Sequence, residues 1–349
     1  MSGGALGGGA LGGGALGGGA FEPYPLLVGP HLYRRIWGGT RLASWFPDVP
    51  VSGPAGEPVG ECWLVDGANR VANGAYAGLT LDDLARAHGA ALLGEASYGR
   101  YGPRIPLLAK FLDASADLSV QVHPNDAYAL REEAGSGHLG KAEAWLMLEC
   151  DPGASVLRGF VRDVTVEEAR AALADDTFGE LLNRVPVRTG DVVVNPAGAV
   201  HAVGAGCFLF EIQQASDLTY RLYDYGRVGA DGRQRELHIE RALAVAELSG
   251  GAYAPASTWP EADRWHRAVE LPEFTLDVRR LEPGAQVAGA TKPHSLELLV
   301  VTRGVARLSA AGHELTLGRG AAAVLPASLG DYALRGDADI VRAAVGEAA

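Results

Sequence analysis

Short runs of β-branched and apolar residues, each stopped by Gly, Pro, Asn or Asp, recur along most of this chain. "SVQVHP", "DVVVNPAG", "LELLVVTRG" and "AAAVLPAS" are examples. Such runs are too short for helices and read as strands closed by turns. A chain of 349 residues built this way predicts a mostly β fold of sandwiches or barrels, with a few helices attached. Two helical segments carry N-terminal caps. "TLDDLARAHGAALLG" starts at Thr80 with Asp83 three residues on, and "TVEEARAALADDTFGELLNRV" starts at Thr165 with Glu168 three residues on.

The pattern begins at about Phe21. Before it lies "MSGGALGGGALGGGALGGGA", a Gly-Ala-Leu repeat read as a flexible tail over 1–20. It has neither the basic start nor the apolar run of a signal peptide. No stretch approaches the ~20 apolar residues that span a bilayer. A second composition shift, "LSGGAYAPASTWPEAD", divides the rest into 21–255 and 256–349. The net charge of -12 argues against nucleic acid and anionic membranes as partners. Cys62, Cys150 and Cys207 are few, odd in number and far apart, which suits a reducing cytoplasm.

Four stretches carry the chemistry. In "SVQVHPNDAYAL", Gln121 and His123 are two apart on a strand and share a face; Pro124 and Asn125 then turn the chain toward a short helix. Alone, such a histidine is more often a hydrogen-bonded structural residue. In "GKAEAWLMLEC", Lys141 and Glu143 share a face among apolar neighbours. They make either a surface ion pair or a buried carboxylate that needs a cation. "GDVVVNPAGAVHAVGAG" holds G-x5-P-x-G-x2-H from Gly190 to His201: a strand, a tight Pro-x-Gly turn, and a histidine opening the returning strand. "FEIQQASDLTYRLYDYGR" reads as a strand bearing Glu211, Gln213, Asp217 and Arg221, more polar than a plain β-surface requires.

The His201 stretch resembles the second motif of the cupin superfamily, small barrels that hold a metal with inward-facing histidines. The usual first motif has two histidines one residue apart; here Gln121 stands for one of them, which points away from cupin oxygenases. Gln121, His123, Glu143 and His201 form a mixed N/O donor set suited to Zn2+ or another first-row divalent ion, with a position left for water or substrate.

"RRIWGGTRL", "VGECWLV", "RIPLLAKFLDA", "QVHPND", "GKAEAW", "NPAGAVHAVGAG", "EIQQASDLTYRLYD" and "GRQRELHIERAL" follow one another in the order found in type I mannose-6-phosphate isomerases. The resemblance runs from about Phe21 to Ala244 and looks like the shorter bacterial form. It implies a zinc-dependent aldose-ketose isomerisation between mannose 6-phosphate and fructose 6-phosphate. The metal ligands it implies are His123, Glu143, His201 and, last in rank, Gln121. It puts Arg221, Lys141 and Asp217 at the chemistry and Lys110, Trp37 and Glu61 around the substrate. Ala142 stands where many relatives carry Thr or Pro. The base is left open among Asp217, Lys141, Glu61 and a metal-bound water. Residues 256–349 look like a second, degenerate cupin barrel, with no histidine after the turn "LPASLGDY". The alternatives are a cupin isomerase for another free or phosphorylated sugar, and a noncatalytic sugar-sensing cupin.

Overall fold

The computed structural model describes residues 20–229, 232–257 and 264–347. The expected tail, save Ala20, lies outside the described residues. Strand alternation produces three antiparallel-dominated sheets. The first has the order Ala256–Ser257, Asp191–Asn195, Glu143–Cys150, Cys207–Gln214, Leu107–Ala114, Val59–Val65, His31–Gly39 and Val51–Ser52. The second has the order Tyr220–Tyr223, Val120–Val122, His201–Val203, Ser155–Phe160 and Leu182–Pro186. These two face each other as a cupin jelly roll, because His201 of the second meets Glu143 of the first.

The third sheet is built mainly from the C-terminal part, around two long strands, Glu297–Ala310 and Asp331–Ala344. Its interior is filled by apolar side chains such as Leu281, Val301, Leu308, Leu317 and Ile340. His294 and His313 are used elsewhere: one bonds the Val345 carbonyl and the other stacks on Tyr24. Chain order and sheet membership do not coincide. Leu26–Val28 pairs with Ala322–Leu325, and Ala256–Ser257 pairs with Asp191–Val192. One apolar core runs from Leu26 and Leu32 through Phe111 and Phe210 to Leu298 and Val341. Short helices over Leu81–Tyr101 link the parts, with Leu93 and Leu92 accepting from the backbones of Leu296 and Ala327. Gly94 sits at this seam with φ 89; a Cβ there would lie 2.4 Å from the Ser295 nitrogen, so only glycine fits.

Several local readings change. The capping box at Thr80 and Asp83 is complete, but the helix it starts ends at His88, where Gly89 takes φ 47. Thr165 caps Val166–Ala174, while Glu168 turns to Arg162 instead of back to the cap. Residues 165–185 are not one helix: Asp176 at φ 58 breaks it, and Leu182–Pro186 becomes a strand paired with Ser155–Phe160. The stretch carrying Glu211 to Arg221 is two strands in different sheets, joined by a turn over 215–219. The strands either side of Pro196 also belong to different sheets, so this motif is a corner between layers and not a hairpin. Cys150 and Cys207, far apart in sequence, are direct cross-strand partners, both free.

Candidate active site

Register builds the site. Directly opposed residues of antiparallel strands point to the same face. Across the second sheet this aligns Arg221, Gln121, His201 and Arg158 in one row. Across the first sheet, Asn195, Glu143 and Gln213 form one row, and Val193, Trp145, Glu211, Lys110 and Trp63 the next. The Pro196 corner sets the two faces opposite each other. Gly198, at φ 88, permits the tight turn and donates to the His123 carbonyl at 2.9 Å, tying the two histidine segments together.

His123, Glu143 and His201 are each about 1% exposed or less, and their ligand atoms lie within 4.8 Å of one another. His123 Nδ1 lies 2.8 Å from the Leu218 carbonyl and His201 Nδ1 2.9 Å from the Ala199 carbonyl. A carbonyl only accepts, so each Nδ1 carries a proton, which leaves Nε2 as the nitrogen that each ring can offer to a metal. Those two Nε2 atoms face the Glu143 carboxylate at 3.4 and 3.1 Å. Three lone-pair donors turned on one point, buried, fit a divalent cation and little else. Gln121 Nε2 lies 3.3 Å from His201 Nε2; turning the amide over would bring its oxygen there as a fourth donor.

Above this floor opens a cleft of about 330 Å3. Its walls include Trp37, Glu61, Lys110, Gln121, Lys141, Asp217 and Arg221. All ten residues singled out in the sequence therefore converge. Lys141 Nζ lies 2.9 Å from Glu143 and Lys110 Nζ 2.9 Å from Glu211. Burial would raise the Glu143 pKa, but the charge of Lys141 and the nearby His201 and His123 outweigh it and hold the group well below the usual carboxylate range. Burial, reinforced by Lys141, pushes His123 down to about 3. Glu61 resists its burial through the charges of Lys110 and Arg35 and is held at about 2. Arg221 donates to Ser119 Oγ and the Glu236 carbonyl and, among the described residues, makes no carboxylate ion pair. Asp217 lies at the exposed rim and does not pair with Arg221; the Asp–Arg pairing of this region is Asp224 with Arg227 and Arg235.

Residues 26–138 match the family model described as phosphomannose isomerase type I, catalytic domain. Mannose-6-phosphate isomerase ManA of Bacillus subtilis is 36% identical over 331 residues, covering 91% of this chain and 98% of that protein. The chain belongs to the type I phosphomannose isomerases. The crystal structure of the mannose 6-phosphate isomerase from Bacillus subtilis superposes with a TM-score of 0.80 at 30% identity, over 91% of this chain and 99% of that one. A zinc-bound mannose 6-phosphate isomerase shares the fold, with a TM-score of 0.70 at 16% identity, over 92% of this chain and 99% of that one.

Four residues of this phosphomannose isomerase cleft were given no role from the sequence. Arg35 pairs with Glu61 at 2.7 Å, and its only local signal is its place two residues before Trp37. Glu211, read as one polar strand residue among several, is 3% exposed, holds Lys110, and accepts from Trp145 Nε1 at 3.1 Å. Burial, with Glu143 nearby, outweighs Lys110 and raises its pKa. Arg235 and His238 enter from the "GRQRELHIE" segment, where His238 Nδ1 accepts the Arg221 backbone N–H.

The shifted groups set a pH dependence for the metal-free protein. His123, near 3 in the fold against an ordinary 6.5, binds its proton more readily unfolded, so its stabilisation is lost as pH falls from 6.5 toward 3. Glu61, about 2 against 4.5, loses its contribution as pH falls from 4.5 toward 2. Glu211, raised by burial, runs the other way above its ordinary 4.5. The urea midpoint of the metal-free chain is expected to fall as pH is lowered from about 7 to about 4. A midpoint that stays flat or rises over that range contradicts the buried, neutral assignment of His123.

Proposed function

We infer that this chain interconverts mannose 6-phosphate and fructose 6-phosphate with Zn2+ as cofactor, moving a proton between C1 and C2 through an enediolate. The observation that carries the reading is a buried His-Glu-His donor set that adjoins, through Lys141 and Gln121, a cleft also lined by Arg221. His123 Nε2, His201 Nε2 and the Glu143 carboxylate would hold the ion, with Gln121 as a fourth donor once its amide is turned. When bound, Zn2+ supplies Lewis acidity at the hydroxyl-carbonyl edge of the sugar.

The chain's own groups do the rest. Negative charge grows on O1 and O2 as the C–H proton leaves, and the fixed cations Arg221 and Lys141 stabilise it. A guanidinium is a poor base, so Arg221 orients and neutralises. The base must carry a proton from C2 of the aldose to C1 of the ketose, while the proton on O2 is lost and one is gained at O1. Glu61, at about 2 and locked by Arg35 and Trp63, is too acidic a group for this. Glu211, a buried carboxyl with a raised pKa on the cleft wall, suits the task better, beside Asp217 at the rim. Lys110 and Arg35 offer positive charge to the 6-phosphate, and Trp37 and Trp63 form apolar walls.

Residues 21–255 carry every cleft side chain, which supports their reading as the catalytic unit, with 256–349 as a packing unit. Among the described residues no helix is long and apolar enough to cross a membrane. Together with the free cysteines this is consistent with a cytoplasmic metabolic enzyme.

The test is mannose 6-phosphate turnover before and after chelation. Activity is expected to disappear with the metal and return on adding Zn2+. Undiminished turnover by protein shown to be metal-free overturns the reading. A panel of free and phosphorylated aldoses separates this substrate from a related sugar.

A further inference from the structure

Asn195 ends the strand Asp191–Asn195, immediately before the Pro196 corner. It is 0% exposed, and among the described residues neither its amide nitrogen nor its amide oxygen has a hydrogen-bond partner. A buried amide in that state is costly. Another valine would have continued the run "DVVV" at no such cost, so the polar residue calls for a reason.

The residue directly across the ladder from Asn195 is Glu143. Opposed side chains share a face with Cβ atoms about 5 Å apart, so the carboxamide stands beside the carboxylate. Glu143 has a second amide opposite it, Gln213, on the other neighbouring strand. Gln213 is committed: its Nε2 donates to the Gln214 and Ser216 carbonyls, both at 2.9 Å. Asn195 is the uncommitted N–H donor of the row. Glu143 has need of one. Its close contacts are Lys141 and the two imidazoles, and with a cation seated the imidazole Nε2 atoms serve the ion instead.

We propose that Asn195 is a positioning residue for Glu143: its amide N–H holds the carboxylate in the orientation that completes the divalent-ion site. This rests on the metal-site reading above. The unpartnered amide is then a local stability cost retained for metal affinity.

The test uses the full chain stripped of metal, with Asn195→Leu as an apolar replacement of similar size and Asn195→Ala as a second variant should Leu fail to fold. Zn2+ affinity, measured by competition with a chelating dye, is expected to fall about 10- to 100-fold. The visible spectrum of the Co2+-loaded protein is expected to change in shape, since the carboxylate ligand is no longer held. The thermal midpoint of the metal-free variant is expected to equal or exceed that of the parent, because an orphaned buried amide has been removed. Unchanged Zn2+ affinity with an unchanged Co2+ spectrum overturns the proposal. So does a lower metal-free midpoint accompanying the affinity loss, which would make Asn195 a structural residue. A parent chain that takes up no Co2+ overturns the metal reading itself, a result distinct from either.

Discussion

Replacing His201 by alanine is expected to abolish metal binding and turnover together. The ring supplies one of three ligand atoms within 4.8 Å of one another, and its Nδ1 is tied to the Ala199 carbonyl at 2.9 Å, so its Nε2 is aimed before any ion arrives. With the imidazole gone, Glu143 faces one nitrogen instead of two, and the Gln121 amide beside it loses the ring nitrogen it lies 3.3 Å from, so the four-donor set loses one of its two imidazole ligands. Lewis-acid stabilisation is worth several kcal/mol, and at 1.36 kcal/mol per decade its loss lowers kcat by about 10^3- to 10^4-fold. The fold should survive: the jelly roll is held by apolar packing around the site, including Trp145, Val156 and Val203. Metal analysis and circular dichroism on the same sample check both halves. A variant that is metal-replete and active refutes the ligand assignment.

Replacing Arg221 by alanine is expected to separate chemistry from metal binding. Arg221 sits beside Gln121 in the row that leads to His201. Its guanidinium is anchored on Ser119 Oγ and the Glu236 carbonyl and, among the described residues, has no carboxylate partner, so its charge is left for the substrate. Burial and the neighbouring Arg235 lower its pKa, which marks the site as one that gains from an incoming anion. Removing one such preorganised donor lowers kcat by about 10^2- to 10^3-fold, while zinc content stays at the parent level. Arg221→Lys should recover part of the loss, because a point charge replaces the fork without its geometry. Turnover unchanged in the alanine variant would end the role given to this residue.

The two variants probe different kinds of information. His201 was legible in sequence because its motif is local: Gly190 opens the approach to a strand, Pro196 and Gly198 make the corner, and the histidine follows at a fixed spacing. That Gln121 and His123 share a face was legible through strand alternation, but not their role, since alone such a histidine is more often a structural residue. Lys141 and Glu143 left two readings open, a surface ion pair or a buried carboxylate, and 1% exposure of Glu143 decides for the second. The helical reading of 165–185 went wrong where Asp176 adopts a positive φ, a backbone choice that periodicity does not encode. Glu211 was read as part of a strand more polar than a plain β-surface requires but was given no role of its own, and every residue from Cys207 to Gln214 is buried. Its polar partners, Lys110 and Trp145, lie on the two strands that flank it.

That contrast marks the division between the two levels. By itself the sequence determined the β class, the tight turn at Pro196, the donor types, and which neighbours along one strand share a face. These follow from turn chemistry and a two-residue repeat, both confined to a few consecutive residues. The tertiary structure alone decided what stands beside what across the ladders: Asn195 and Gln213 on either side of Glu143, Glu211 against Lys110, Arg35 on Glu61, and Cys150 opposite Cys207. Register joins strands tens of residues apart, and a shift of one residue would turn each of these side chains to the opposite face.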